Sequence, residues 1–393
     1  MRCSWASAAM AVAGSLVLCA SSAELRREGR YWIAQKQGAA STQGIRTVRV
    51  DTRGRVSVRG SNTNTVAWTA VIRVETADER QARALLAAAV MDQHRVGETM
   101  SLSFASAAGQ PDAELSVVVP RETQVCWIRT LGGTVQAWDL DGALEVSSAA
   151  GSLQLDRIRG PVKVRTGGGE VRIGRVDGEV YSFTGAGGIR ADYIGGRARL
   201  DTAGGEILVK YVHGPLLTSS AGGSIEVQQA DSSITARTNG GVIEVGRAAG
   251  PVTADTGGGA IQISGSSGAE CQASEGPIRL KNVAGAVRAV SGSGDIIAQL
   301  MPGRPLQNSK LSTNSGDITV VIPATSSLTI VAQSARRGAV GRIISDFPEI
   351  RLASRRGTGG ALEMAEGSLN GGGPVLQVVA SGGSVYLRRQ RQQ

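Results

Sequence analysis

Glycine recurs at every ninth residue through the middle of this chain. Between Gly133 and Gly268, fifteen of the sixteen positions spaced by nine are glycine, and Ser232 is the exception. With 54 glycines in 393 residues, chance would place about two glycines at those positions. The spacing therefore predicts an internal repeat in which each unit packs on its neighbours and none folds alone.

Apolar side chains follow each glycine at fixed steps. The second residue after the glycine is apolar in fifteen consecutive units, from Val135 to Ile261, and the fourth residue is apolar in most of them. Apolar positions two apart, with polar residues between them, indicate a short strand with one buried face. We expect the glycine to supply the positive φ or tight corner between strands.

Alternate units differ in a way that doubles the period. Every other unit carries one more apolar residue at the seventh step, as at Leu140, Ile158 and Val176, whereas the units between them end in small turn residues. Stacked coils of this doubled length would align each strand with its equivalents at about 4.8 Å. The pattern predicts an all-β protein: a parallel β-solenoid (β-helix) with 18-residue coils of two strands each.

The rhythm shortens by one residue between Gly268 and Gly276 and then resumes at Gly285 and Gly294. Glu270 and Cys271 fall in the shortened unit, where the inward side chain has to change. We expect a local irregularity in the ladder there.

The flanking segments have other patterns, which divide the chain into five parts. We expect a signal peptide over 1–23, a linker over 24–44 and an amino-terminal β cap over 45–123 with one short helix at about 78–93. The solenoid repeats then span 124–300, and 301–393 forms a carboxy-terminal continuation and cap of strands.

The amino terminus has the pattern of a secretory signal. Arg2 precedes an apolar stretch from Trp5 to Ala20, and small residues lead to a cleavage site between Ala23 and Glu24. An uncleaved membrane anchor and a lipid-modified Cys19 are the alternatives. We expect a protein exported to the periplasm, the cell surface or the extracellular medium, and not an integral membrane protein after cleavage.

Cleavage would leave two cysteines, Cys126 and Cys271. The repeat places them about eight layers of roughly 4.8 Å apart, which is beyond the reach of a disulfide. We therefore expect no disulfide, and we expect both thiols to be small buried side chains rather than catalytic groups.

The composition excludes several function classes. The chain has two histidines, His94 and His213, so His-rich metal sites are excluded. No Asp recurs at a fixed turn position, as calcium-binding nonapeptide repeats require, and solvated turns explain close carboxylates such as Asp139 and Asp141. Basic residues exceed acidic ones by 42 to 33, but they are scattered among the acids, so we expect no nucleic acid partner. We expect no catalytic residues, no metal and no cofactor.

One surface column could bind a ligand. Arg157, Arg175, Tyr193 and Tyr211 lie six steps after successive alternate glycines, and stacking would align them along one edge. The hypothesis is that they stack on sugar rings or contact acidic glycan. The simpler alternative is an ordinary solvated ladder in which the tyrosines cover the corner.

Several segments resemble a bacterial family of exported, glycine-rich β-helical proteins described as adhesins, with a domain of unknown function. The resemblance rests on the repeated Gly-Gly-x-Ile/Val units, on Ser315-Gly316-Asp317-Ile318-Thr319-Val320-Val321-Ile322-Pro323 and on Ser381-Gly382-Gly383-Ser384-Val385-Tyr386-Leu387. It covers most of the mature chain and implies an exported β-helical protein, but its motifs are structural and name no chemistry.

The function that we expect from the sequence is non-catalytic. An exported, adhesin-like solenoid would bind or organise the cell surface or envelope, with envelope polysaccharide or another surface protein as its partner. The alternatives are a polysaccharide-active β-helix enzyme with its site in the caps, and a self-assembling envelope filament.

Overall fold

The computed structural model describes residues 25–105, 112–335, 342–357 and 360–391. Within these ranges the chain forms 36 strands and one helix. The predicted cleavage site at Ala23 and Glu24 lies outside the described residues. The all-β prediction is confirmed.

The amino-terminal cap contains eight strands and the helix. They are β1 (Arg26–Glu28), β2 (Tyr31–Ser41), β3 (Thr47–Thr52), β4 (Arg55–Ser61), β5 (Thr65–Glu75), α1 (Glu79–Ala88), β6 (Val90–Val96), β7 (Thr99–Ala105) and β8 (Asp112–Pro120).

The repeats form strands that alternate between two sheets. The first part comprises β9 (Val125–Thr130), β10 (Val135–Leu140), β11 (Ala143–Ser148), β12 (Leu153–Ile158), β13 (Val162–Thr166), β14 (Val171–Val176), β15 (Val180–Thr184), β16 (Ile189–Ile194), β17 (Ala198–Thr202), β18 (Ile207–Val212) and β19 (Leu216–Ser220). The second part comprises β20 (Ile225–Ala230), β21 (Ile234–Thr238), β22 (Ile243–Ala248), β23 (Val252–Thr256), β24 (Ile261–Ile263), β25 (Ala269–Ala273), β26 (Ile278–Val283), β27 (Val287–Ser293) and β28 (Ile296–Leu300).

The carboxy-terminal part continues the same sheets. Its strands are β29 (Ser309–Ser315), β30 (Ile318–Ile322), β31 (Leu328–Ala335), β32 (Ile343–Ser345), β33 (Arg351–Gly357), β34 (Gly360–Leu369), β35 (Val375–Ala380) and β36 (Val385–Arg389).

The strands divide equally between the two sheets, and the solenoid prediction is confirmed. Sheet A has the order β1, β2, β5, β8, β4, then the even-numbered strands β10 to β30, then β36 and β32. Sheet B has the order β6, β7, β3, then the odd-numbered strands β9 to β29, then β35, β31, β34 and β33. From β9 to β30 the neighbours within each sheet are parallel, as stacked coils require.

The predicted coil length appears directly in the strand register. Ile189 pairs with Ile207, which pairs with Ile225, each one coil further along. The predicted inward side chains are buried, and they form one continuous hydrophobic core between the sheets. At the shortened coil Val252 pairs with Ala269, so the step between partners is one residue shorter than in the coils before it. Ala269 and Cys271 point inward there, and Glu270 points outward. The predicted irregularity therefore lies in the segment between β24 and β25, which is one residue shorter, and not in β25 itself.

Close stacking, more than positive φ, explains the glycine period. A Cβ on Gly169, Gly187 or Gly205 would overlap the carbonyl oxygen of the glycine one coil earlier. None of these three glycines has a positive φ, in contrast to Gly133 and Gly151. Of the two expected reasons, positive φ or a tight corner, only the tight corner applies at these three positions, where glycine is needed because two backbones approach closely.

A column of buried hydroxyl groups lies beside the glycines. The hydroxyl of Thr202 donates to the carbonyl oxygen of Gly187 at 2.8 Å and accepts from the N–H of Gly205 at 3.1 Å. The same pattern recurs in neighbouring coils, for example at Thr184 and Ser220. These hydroxyls satisfy backbone groups at a corner that excludes water.

At both ends of the stack one coil lies out of sequence order. The coil of β3 and β4 lies between that of β7 and β8 and that of β9 and β10. The coil of β35 and β36 likewise lies between that of β29 and β30 and that of β31 and β32. Each of these two coils is thereby paired on both sides with other coils.

Two predicted boundaries in the amino-terminal part are wrong. The linker over 24–44 contains β1 and the longer strand β2, which pairs antiparallel with β5 along its whole length. The helix ends at Ala88 rather than near residue 93, because β6 pairs antiparallel with β7. At its start Asp78 accepts a hydrogen bond from the N–H of Arg80 at 2.9 Å, as an N-cap residue does.

Candidate functional site

Three of the four predicted ligand-binding residues lie in one line on sheet A. Arg175 of β14 pairs with Tyr193 of β16, which pairs with Tyr211 of β18. The Tyr193 and Tyr211 rings are stacked, with centroids 5.4 Å apart and planes at 8°. The Arg175 guanidinium carbon lies 4.4 Å from the centroid of the Tyr193 ring. We call these three residues the tyrosine strip.

The coil geometry positions the strip. Each of its residues immediately precedes a buried corner residue: Val176, Ile194 or Val212. Because the three positions are separated by a constant step of one coil, their side chains superpose along the stack. Cation–π attraction and ring stacking at these distances stabilise the alignment.

The strip presents ring edges and polar groups rather than free ring faces. Tyr211 covers one face of Tyr193 and Arg175 covers the other, since they belong to the strands on either side. The Arg175 side chain is 58% exposed, and its Nε donates to Asp177 Oδ1 at 2.9 Å. This arrangement favours hydrogen bonding with a polar ligand over stacking of a sugar ring on Tyr193.

Asp231 and His213 extend the strip, and the sequence reasoning missed both. The Tyr211 hydroxyl donates to the Asp231 carboxylate, and His213 Nδ1 lies 3.0 Å from Asp231 Oδ2. The hydrogen bond to Asp231 raises the pKa of Tyr211, while the bonds from Tyr211 and His213 lower the pKa of Asp231. His213 and Asp231 are one full coil apart, so the period itself could have shown their proximity.

Arg157 lies apart from the other three predicted residues. Its φ is 52°, and the pairing of β12 with β14 passes from Leu155 to Ile158 without it. Its guanidinium Nε donates to Asp139 Oδ1 at 2.7 Å. Arg157 therefore stabilises the turn of the preceding coil instead of joining the strip.

Ion pairs hold the close carboxylates Asp139 and Asp141. Arg157 contacts Asp139, and the Arg121 guanidinium lies within 3.6 Å of both carboxylates. The hydrogen bond from Arg157 lowers the pKa of Asp139 below its usual range. Arginine side chains of these coils pair with both carboxylates, so this cluster has the properties of a structural network.

The two cysteines within the described residues, Cys126 and Cys271, are free and buried in β9 and β25 of sheet B. Burial raises the pKa of each thiol to about 12. A thiol in this state is a poor nucleophile.

No group of three or more His, Cys, Asp or Glu residues in residues 25–105, 112–335, 342–357 and 360–391 is arranged to hold a metal ion. In the same part of the chain, no helix has the length and apolar character needed to cross a membrane.

Comparison with known proteins identifies the family. The sequence model described as Toastrack DUF4097 matches residues 90–337, which is more than half of the chain. Among solved structures, the chain is similar to a "putative cell adhesion protein" from Clostridium sporogenes, with 6% identity, a TM-score of 0.19 and coverage of 91% of this chain and 99% of that chain. No curated protein matches the sequence. The regularly spaced glycines, the two parallel sheets and the family match agree, and the chain belongs to the Toastrack DUF4097 family, a domain of unknown function.

Proposed function

We propose that this protein is exported and works without catalysis as an adhesin-like protein that binds the cell surface or envelope. The observation that carries the proposal is the tyrosine strip: Arg175, Tyr193 and Tyr211 are aligned on the outside of a hydrogen-bonded ladder. Its place of action is the periplasm, the cell surface or the extracellular medium. Its partner is envelope polysaccharide or another surface protein.

The fold supports binding through many weak contacts. The strands of sheet A and sheet B hydrogen-bond to neighbours on both sides through most of the stack, so outward side chains keep fixed spacings. Such a surface loses little conformational entropy when it binds a long partner. Weak contacts that repeat along one partner add up to avidity.

The regular coils favour binding over catalysis. Between Gly133 and Gly268 the strands follow one another without an inserted loop. The close carboxylates Asp139 and Asp141 form ion pairs with arginines of these coils. The alternative is a polysaccharide-active enzyme with its site in the caps. Release of reducing ends from envelope polysaccharide, measured with the purified protein, would favour that enzyme.

Charged side chains at the ends of the sheets favour a discrete particle over the filament alternative. The end strand β1 of sheet A carries Arg26, Arg27 and Glu28, all exposed, and β33 at one end of sheet B begins with the exposed Arg351. Charges on edge strands oppose pairing with another chain. Sedimentation at several concentrations tests this: a filament would show mass that grows with concentration.

The tyrosine strip provides the direct test. We expect the double variant Tyr193→Ala/Tyr211→Ala to bind purified envelope material about tenfold more weakly than the wild type, because it loses both the stacked rings and the hydroxyl groups. The matched control is Gln136→Ala/Gln154→Ala, which removes another hydrogen-bonded outward pair one coil apart on sheet A. Cosedimentation measures the binding, and equal binding by wild type and tyrosine variant would refute the role of the strip.

A further inference from the structure

Aromatic and basic side chains gather on the outer face of sheet B, across the core from the tyrosine strip. We call this surface the aromatic face, and its members are Trp127, Lys163, Arg165, Tyr181, Phe183 and Arg199.

The strand register brings these side chains together in two adjacent columns. In one column Trp127 pairs with Glu145 on the next strand, and Lys163, Tyr181 and Arg199 follow in order. In the other column Phe183 lies between Arg165 and Asp201. Trp127 and Tyr181 are three full coils apart, so both rings occupy the same position in their coils.

The exposure of these rings is unusual for the molecule. Trp127 is 42% exposed and Phe183 is 41% exposed. The Phe183 side chain has no polar atom that could form a hydrogen bond with water. The equivalent position in most other coils is occupied by a polar residue. Exposed aromatic rings near cations are typical of a binding surface.

Cations flank the central ring and exceed the anions. The guanidinium carbons of Arg165 and Arg199 each lie 5.8 Å from the centroid of the Tyr181 ring. Lys163 pairs with Glu145 at 2.9 Å, and Arg199 pairs with Asp201 at 2.7 Å. Among the described residues, Arg165 forms no ion pair with a carboxylate, so its charge is available to a ligand.

Shallow grooves meet at Tyr181. One groove of about 430 Å³ extends from Trp127 to Tyr181, and its charged lining residues are Lys163, Arg197 and Arg199 with Glu145 and Glu179. Two others lie on either side of Phe183, and Tyr181 lines both of them. These grooves are open to solvent, which suits an extended chain that lies across the strands better than a compact small molecule.

We propose that the aromatic face binds an acidic polysaccharide composed of uronic acid units. The apolar faces of the sugar rings would pack on Trp127 and Phe183. The carboxylates of the polymer would pair with Arg165 and the neighbouring basic side chains. This is a second site, on the other sheet from the tyrosine strip, and it goes beyond the proposed function because it specifies the chemistry of the ligand.

The test uses the full mature chain and oligomers of polygalacturonate, with neutral cello-oligosaccharides of equal length for comparison. We expect the wild type to bind the acidic oligomers in calorimetry and to bind the neutral ones at least about tenfold more weakly. Phe183→Ser and Arg165→Gln should each weaken binding of polygalacturonate about fivefold. Only Arg165→Gln should reduce the salt dependence of binding, since Phe183 carries no charge.

Matched controls separate recognition from damage to the fold. Arg237→Gln removes an exposed charge from the same face of sheet B, on β21 outside the cluster, and Ile297→Ser removes a side chain that is 39% exposed on sheet A. Both controls should bind polygalacturonate as the wild type does, and all four variants should keep the wild-type circular dichroism spectrum and thermal midpoint.

Two results would overturn the proposal. One is the absence of polygalacturonate binding, including the case in which the aromatic face captures a protein partner instead. The other is binding that Phe183→Ser leaves unchanged, since charge alone would then explain it. The double variant Tyr193→Ala/Tyr211→Ala separates the two sites. It should bind envelope material about tenfold more weakly, as above, and still bind polygalacturonate as the wild type does, so either proposal can fail without the other.

Discussion

Arg157 binds Asp139 of the preceding coil through a hydrogen bond of 2.7 Å from Nε to Oδ1. Both residues have left-handed backbone conformations, with φ of 52° and 62°. Such conformations are costly for side chains with a Cβ, although Asp tolerates them better than most. The ion pair therefore stabilises a corner that the backbone alone would disfavour.

This pair predicts a dependence of stability on pH. The hydrogen bond from Arg157 lowers the pKa of Asp139. The Asp139 carboxylate therefore contributes its full stabilisation at a pH above its pKa in the unfolded chain, about 3.9. This stabilisation is lost as the pH falls through the lower pKa that Asp139 has in the folded protein. We expect Asp139→Asn, which keeps the left-handed preference, to unfold at lower urea concentration than the wild type at pH 7, with a difference that shrinks on acidification.

The matched control is Asp255→Asn, at an exposed outward position of β23. It should change the urea midpoint less than Asp139→Asn at pH 7. A deficit of Asp139→Asn that stayed constant down to pH about 2 would show that charge does not explain the stabilisation.

Neighbouring glycines in one corner should respond very differently to a methyl group. A Cβ on Gly205 would overlap the carbonyl oxygen of Gly187, whereas a Cβ on Gly204 would have its nearest neighbour, Ala186 O, at 3.9 Å. We expect Gly205→Ala to lower the free energy of unfolding by about 3 kcal/mol or more, and Gly204→Ala to change it by less than about 1 kcal/mol. Urea denaturation followed by circular dichroism measures both, and similar effects would contradict the stacking explanation of the glycine period.

Two buried threonines in adjacent strands of sheet B offer another matched pair. The hydroxyl of Thr202 bonds to the Gly187 carbonyl and the Gly205 N–H, whereas the buried hydroxyl of Thr218 has no partner among the described residues. Thr202→Val should lower the free energy of unfolding by about 1 to 3 kcal/mol, because it leaves two backbone groups unpaired. Thr218→Val should leave it unchanged or raise it by about 1 kcal/mol, since a desolvated hydroxyl is removed. If both substitutions changed the free energy of unfolding with the same sign and size, the column of buried hydroxyl groups would not explain the stability of the corner.

The buried thiols of Cys126 and Cys271 should react slowly with thiol reagents in the native state, and they should make the protein less stable at alkaline pH. Burial raises the pKa of Cys126 and Cys271 to about 12, whereas a thiol in the unfolded chain ionises near about 8.5. The unfolded state therefore loses protons first, so stability should fall as the pH rises from about 9 towards 12. A chromogenic disulfide reagent at pH 8 should react only at the rate of unfolding, and rapid labelling of native protein would show that the thiols are accessible.

The repeats were predictable because the glycine position and the inward positions of each coil accept almost no other type of residue. A side chain at Gly169 or Gly187 would overlap the backbone of the preceding coil, and a polar residue at position 171 or 189 would be buried in the core. Each constraint leaves a visible residue at a fixed step, so the sequence records the coil length directly.

The ends were less predictable because pairing there does not follow chain order. The second half of β2, from Lys36 to Ser41, lacks alternating apolar residues, and its partner β5 lies beyond two further strands. Nothing in β35 or β36 indicates that they insert between earlier coils. Which coil covers an open edge depends on the packing of whole layers, and that information is not contained in any one segment.

The candidate sites were predictable in part, since alignment along a column follows from the period. The stacking of Tyr193 on Tyr211 was accessible in this way, and so was the alignment of Trp127 with Tyr181. Arg157 departed from its column because its backbone adopts a left-handed conformation. A local φ of this kind depends on the pairing with Asp139 and leaves no periodic signal.

The most direct test of the central claim is mass analysis of the mature amino terminus, combined with protease treatment of intact cells. Export predicts a mature chain that begins at Glu24 and is found outside the cytoplasm, and digestion from outside would support an adhesive role at the surface. A protected chain that begins at Glu24 would place its binding role in the periplasm. A chain that retains residues 1–23 and remains in the cytoplasm would contradict the account.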